Sequence, residues 1–173
     1  MKNTSLAIVF TSLLTACLPL GSTDTVTVDS VIDALTFTTT NGQTIRMIGL
    51  RSPVLTSPVE CYGKEALQAA ESLIGKEVRL ETEPLFTVAS DGALPRYVFL
   101  AVDTKRTETT GTGANAVETE VVDTKDIMVN ERALEMGTSF PLVSEEMVYG
   151  SRMLSATKYA AATKKGLWGA CTV

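Results

Sequence analysis

Asn41-Gly42 lies between two segments of strand-like composition, Leu35 to Thr40 and Thr44 to Leu50. Asn-Gly tolerates the positive φ angles that tight β-turns demand, so the dipeptide predicts a hairpin joining the two segments. A strand ahead of it is expected from Val26, Val28 and Val31-Ile32. Glu65 to Leu73 then places Ala66, Leu67, Ala69, Ala70 and Leu73 on one helical stripe, and Gly75 ends it. Glu77 to Glu81 alternates around Val78 and Leu80, and Arg96 to Val102 reads as the fifth strand. Asp103 to Asp126 is polar and β-branched, with alternation from Val117 to Val122, and is expected to be an extended hairpin rather than a disordered linker. Helices are expected at Ile127 to Met136, ended by Gly137, and at Ser144 to Lys164, ended by Gly166. Three strands, a helix, two strands and further helices predict an α+β domain. The expected architecture is a five-stranded OB-type β-barrel with about three packed helices.

The 173 residues are 45% hydrophobic and 20% charged, which suits one globular domain with a substantial core. The sequence contains no histidine, so histidine zinc sites, Ser-His and Cys-His pairs and imidazole acid/base catalysis are excluded together. Its net charge of −5 argues against non-specific duplex binding, which draws most of its affinity from basic faces.

Lys2 followed by the apolar residues Leu6 to Phe10 and Leu13-Leu14 has the form of a secretory signal segment. It is short for a membrane-spanning helix. Leu14-Thr15-Ala16-Cys17 resembles the lipobox of bacterial lipoproteins, in which the cysteine becomes the lipid-modified first residue. A plain secreted protein with an incidental cysteine is the weaker alternative, since Leu14 is a poor third residue before a cut at Ala16. The expected division is a signal peptide at 1–16, a tether at 17–25 and a folded domain at 26–173, with a hairpin insertion at about 103–126. Removing 1–16 loses Lys2 and no acid, which takes the net charge from −5 to −6. The expected location is the cell envelope, with the membrane reached through a lipid on Cys17.

The chain has three cysteines. With Cys17 acylated, Cys61 and Cys171 remain as a disulfide pair; two thiols that never meet are the alternative. Such a bridge would contribute about 4–5 kcal/mol in the chain-entropy description.

Several short pieces then occur in order: Val31-Ile32-Asp33, Ile45-Arg46-Met47-Ile48-Gly49-Leu50, Pro58-Val59-Glu60-Cys61-Tyr62-Gly63-Lys64-Glu65-Ala66, Arg96-Tyr97-Val98-Phe99-Leu100, Met128-Val129-Asn130 and Gly166-Leu167-Trp168. Together they resemble the staphylococcal nuclease-like, or thermonuclease, family across the mature chain. That resemblance implies an OB fold. In active members it also implies calcium-dependent phosphodiester hydrolysis, with two aspartates and a threonine on the metal, a glutamate beside the attacking water and two arginines at the phosphorus centre.

Carried over position by position, most of that set is replaced. Leu35 stands where a metal aspartate is expected, Arg51 where the second is expected, Ser52 for the threonine and Val54 for the glutamate. Arg46 is the retained arginine, and Ala93 takes the place of the second. Calcium requires several oxygen ligands, and a cation at an aspartate position repels it. No cofactor is therefore expected. The expected function is a catalytically inactive envelope lipoprotein, a binding or scaffold module with an envelope partner. The alternative is a calcium-dependent extracellular nuclease of weak or repositioned activity, with Arg46 as its retained catalytic residue. Arg46 and Arg51 are also candidates for a metal-free anion site. The competing reading has Arg46 bracing the loop after the third strand and Arg51 pointing into solvent. Glu60 is expected to serve structure or surface, and the 103–126 extension is a candidate partner contact or a tolerated surface insertion.

Overall fold

A computed structural model describes residues 24–86, 91–111 and 116–172. The expected signal peptide, Cys17 and most of the expected tether lie outside these residues, although Asp24 and Thr25 already belong to the first strand.

The chain folds as a mixed α+β structure around a mostly antiparallel sheet. The strands are β1 (Asp24–Asp33), β2 (Thr36–Thr39), β3 (Thr44–Met47), β4 (Leu50–Arg51), β5 (Glu77–Glu81), β6 (Leu94–Thr110), β7 (Val117–Met128) and β8 (Phe140–Pro141). Helices α1 (Gly63–Glu71), α2 (Val129–Glu135) and α3 (Gly150–Ala162) pack on the sheet, and α4 (Leu167–Ala170) is a single turn. Among the described residues no helix is long and apolar enough to cross a membrane. The main sheet has six strands in the order β3-β2-β1-β5-β6-β7, one more than expected, and β4 pairs with β8 in a small second sheet. β3 also pairs with β6 in parallel, Ile45 opposite Leu94 and Met47 opposite Arg96.

The Asn41-Gly42 turn forms as expected. Gly42 takes φ +81°, and its amide donates to Thr39 O at 2.8 Å. The Thr39 hydroxyl accepts the Gln43 amide at 3.1 Å, which ties the two ends of the loop.

The core follows the strand periodicity. Val26 and Val28 of β1, Phe37 of β2, Ile45 and Met47 of β3, and Val78 and Leu80 of β5 are buried. Met128 at the end of β7 is buried with them, and Leu134 of α2 and Met153 of α3 close the core from the helical side. Tyr97 is fully buried and meets the Tyr149 ring edge-on, with centroids 4.8 Å apart.

Two expected elements are corrected. Thr44 to Leu50 is not one strand: Gly49 turns into the left-handed region at φ +74°, and Leu50–Arg51 leaves the main sheet to pair with Phe140–Pro141. At that φ any side chain is strained, and a Cβ on Gly49 would stand 2.6 Å from Met153 Cε, which would have to shift. The C-terminal helix starts at Gly150 rather than Ser144, because the Val148 amide is taken by the Glu83 carboxylate at 2.9 Å. An α-helix from Ser144 would need that amide for its own ladder.

Asp103 to Thr110 and Val117 to Asp126 form an extended antiparallel ribbon, as the hairpin expectation required. β6 and β7 pair without a break in register from Phe99 opposite Met128 to Thr110 opposite Val117. The expected helix at Ile127 begins two residues later, since Ile127 and Met128 are still in β7. Cys61 and Cys171 lie at disulfide distance with Cα atoms 5.9 Å apart, and the link fastens the start of α1 to the C-terminus.

Candidate functional site

The end of β1, the start of β2, β3 and the loop after β4 enclose a groove of about 440 Å³. Asp33, Arg46 and Ser52 line it together with Leu35, Val54 and Leu55. Three of the residues singled out in the sequence therefore converge. Arg51 is not part of this lining.

Asp33 turns the chain between β1 and β2. Its Oδ1 accepts the Leu35 amide at 2.8 Å, a local bond that makes the carboxylate a turn element. Leu35 joins the hydrophobic core, 9% exposed. An apolar side chain therefore occupies the place beside Asp33 where a second carboxylate would be needed.

Arg46 lies on β3 between β2 and β6. Its Nε donates to Thr36 Oγ1 at 3.3 Å and its Nη2 to Asp91 Oδ2 at 2.7 Å. Asp91 also accepts the Ala93 amide, and this bond, followed by the Arg46 guanidinium, holds its carboxyl below the usual aspartate range. Arg46 thus lines the groove while its guanidinium pairs with Asp91, which lies outside the lining. Its side chain is 40% exposed, so the pair is open to solvent and screened.

Arg51 points to a different neighbourhood. Its Nη1 donates to Glu60 Oε2 at 2.9 Å, and its guanidinium carbon lies 4.2 Å from the centroid of the Phe140 ring. Glu60 Oε2 also accepts the Val54 amide at 2.9 Å; that bond first, and Arg51 second, lower the Glu60 pKa. Glu60 is therefore a brace for the loop after β4 rather than a carboxylate turned into the groove. Ser52 Oγ donates to the Pro53 carbonyl at 3.1 Å. Arg96, three residues beyond Ala93, donates to the Pro95 carbonyl at 2.8 Å and does not line the groove.

The donor set does not fit calcium. The groove offers one carboxylate, already accepting a backbone amide, and the flanking positions are Leu35, Val54 and a guanidinium. A hard cation takes about 6–8 oxygens, and a single carboxylate with an arginine nearby gives neither the ligand count nor the charge. Among the described residues no group of three or more Asp, Glu, His or Cys side chains is placed to hold a metal ion.

No protein-family model matches this chain, and the search of curated proteins found no significant match.

Two buried polar residues with no role legible in the sequence tie distant segments together. Asn130, fully buried, donates from Nδ2 to the carbonyls of Ile48 at 3.0 Å and Arg96 at 3.2 Å. Its Oδ1 accepts the Val98 amide at 2.8 Å. Glu83, 2% exposed, accepts the Tyr97 hydroxyl at 2.6 Å and the amides of Val148 and Leu85 at 2.9 and 3.2 Å. An acid in a segment between strands gives no local signal of such burial; the partners come from Tyr97 and Val148, far along the chain.

Proposed function

We propose that this chain is a non-catalytic, thermonuclease-like lipoprotein of the bacterial cell envelope that serves as a binding or scaffold module. The ring of pairings from β1 through β2, β3, β6 and β5 back to β1 supports an OB-type barrel beneath that reading. The Cys61–Cys171 bridge suits export to an oxidising compartment. Anchoring through Cys17 rests on the lipobox-like sequence. The acidic balance argues against nucleic acid as the partner.

One observation carries the non-catalytic part. The groove that holds Arg46 and Asp33 is walled by Leu35 and Val54, Asp33 is spent on the Leu35 amide, and Arg51 is tied to Glu60. In-line phosphoryl displacement needs a metal or cation cluster where charge develops and a base or oriented water. Here one neutralised arginine remains. The volume, about 440 Å³, lies within the range of small-ligand sites, about 300–1,000 Å³, and its wall is mainly apolar.

The test is a calcium titration followed by thermal melting. Binding to the folded state raises the melting temperature in proportion to RT ln(1 + [L]/Kd). The melting temperature is expected to stay constant into millimolar calcium. A rise that grows with the logarithm of calcium concentration and is lost in Asp33→Ala would support the rival reading, a calcium-dependent nuclease that uses Arg46.

A further inference from the structure

The ribbon formed by β6 and β7 leaves the body of the protein after Val102. From Ala101 to Thr110, β6 pairs with β7 alone, since β5 ends its pairing at Leu100. β7 is the last strand of the sheet order, so its outer edge pairs with no other strand among the described residues. At about 3.3 Å per residue, the stretch from Asp103 to Thr110 spans about 26 Å.

Natural sheet edges are protected against further pairing by proline, bulges, shortness or lysine. β7 is 12 residues long, has no proline and keeps its register with β6 without a bulge. Between Val117 and Asp126 every residue but Val121 is exposed, and Lys125 is the only base. Val117, Thr119, Val121, Val122 and Thr124 give the strand a composition that favours pairing. A two-stranded ribbon without a third strand is itself marginal in water.

Charge indicates what fits the edge. Residues 103–126 hold six acids against three bases, a net charge of −3 in a chain whose total is −5. Glu120 pairs with Lys105, Asp123 with Arg106 and Asp126 with Arg79. Lys105 and Arg106 are thus engaged within the ribbon, and the excess is negative. A second copy would set two acidic strands side by side.

We propose that the outer edge of β7, from Val117 to Asp126, is a docking surface for an extended, lysine- or arginine-bearing segment of a partner protein, added to the sheet as a further strand. This rests on the binding-module reading and names its partner by chemistry. Backbone hydrogen bonds supply the attachment, and cross-strand charge selects the partner.

The experiment uses the full chain and a short peptide of alternating lysine and valine. Binding is read by titration, and the site by amide hydrogen exchange. The peptide is expected to slow exchange of the β7 amides between Val117 and Asp126, and to bind more weakly as salt rises. The same peptide methylated on alternate backbone nitrogens, and one with glutamate for lysine, are each expected to bind at least about tenfold more weakly. A variant with residues 105–122 replaced by an Asn-Gly turn keeps Thr104 opposite Asp123 and is expected to retain its near-UV circular dichroism while losing binding. Equal affinity of the methylated peptide, absence of binding, or protection outside β7 would overturn the proposal. Concentration-dependent self-association that protects the same amides would overturn the choice of partner in favour of a second copy. Calcium-stimulated nuclease activity would count against the proposed function but leave the peptide result standing, so the two failures are distinguishable.

Discussion

Arg51 and Glu60 form an ion pair of 2.9 Å that fastens the strand Leu50–Arg51 to the loop after it. The same guanidinium covers the Phe140 ring across the β4–β8 pairing. A cation stands where the thermonuclease resemblance would put a metal-binding acid, and it is occupied in holding local structure. Arg51→Ala is therefore expected to cost at most about 1 kcal/mol, since the contacts are exposed and the cation–π term is small. Urea denaturation measures this directly. A much larger loss would mean that the β4–β8 corner depends on the charge.

Asn130 carries far more of the fold. Asn130→Ala orphans the Val98 amide and removes the donor from two carbonyls, all in a buried site. At about 1–3 kcal/mol for a buried group left unsatisfied, the expected loss is about 3 kcal/mol. The denaturation midpoint should fall at constant slope, because the surface exposed on unfolding is unchanged.

Glu83 gives the fold a pH dependence. Burial acts to raise its pKa, but the Tyr97 hydroxyl and the amides of Val148 and Leu85 outweigh burial and lower it. A carboxyl with a lowered folded pKa contributes stability that is complete above the unfolded value, near 4.5, and is lost as pH falls through the folded value. Stability of the wild type should therefore drop below about pH 4.5. Glu83→Gln can keep only one oxygen acceptor, so it should be less stable at neutral pH by about 1–3 kcal/mol and show a flatter decline in acid. Denaturation midpoints between neutral pH and pH 3 check both points. The burial of Tyr97 raises its own pKa, and the hydrogen bond to the Glu83 carboxylate raises it further.

Local patterns predicted the elements that local physics decides. The Asn41-Gly42 turn, the Ala66-Ala70 face of α1, the alternating strand Glu77–Glu81 and the polar hairpin beyond Val102 all follow from spacing within a few residues. What failed was decided at long range. The break after Met47 depends on the left-handed turn at Gly49 and on a pairing between residues 91 positions apart in sequence, Leu50 and Pro141. The late start of α3 depends on Glu83, 65 positions before Val148.

The site shows the same division. The groove contains Asp33, Arg46 and Ser52, whereas Arg51, expected beside Arg46 in an anion site, is not in its lining. The partner of Arg46 was not legible, because Asp91 reaches it only through the parallel pairing of β3 with β6. Nor could spacing show that Arg51, five residues after Arg46, turns instead to Glu60 and Phe140.

On the proposed function, this groove performs no phosphodiester chemistry. The direct measurement is cleavage of single-stranded DNA by the purified chain at high protein concentration with millimolar calcium, beside Arg46→Ala. The groove as built predicts no cleavage by the wild type beyond that of the variant. Calcium-stimulated cleavage that disappears in Arg46→Ala would contradict it.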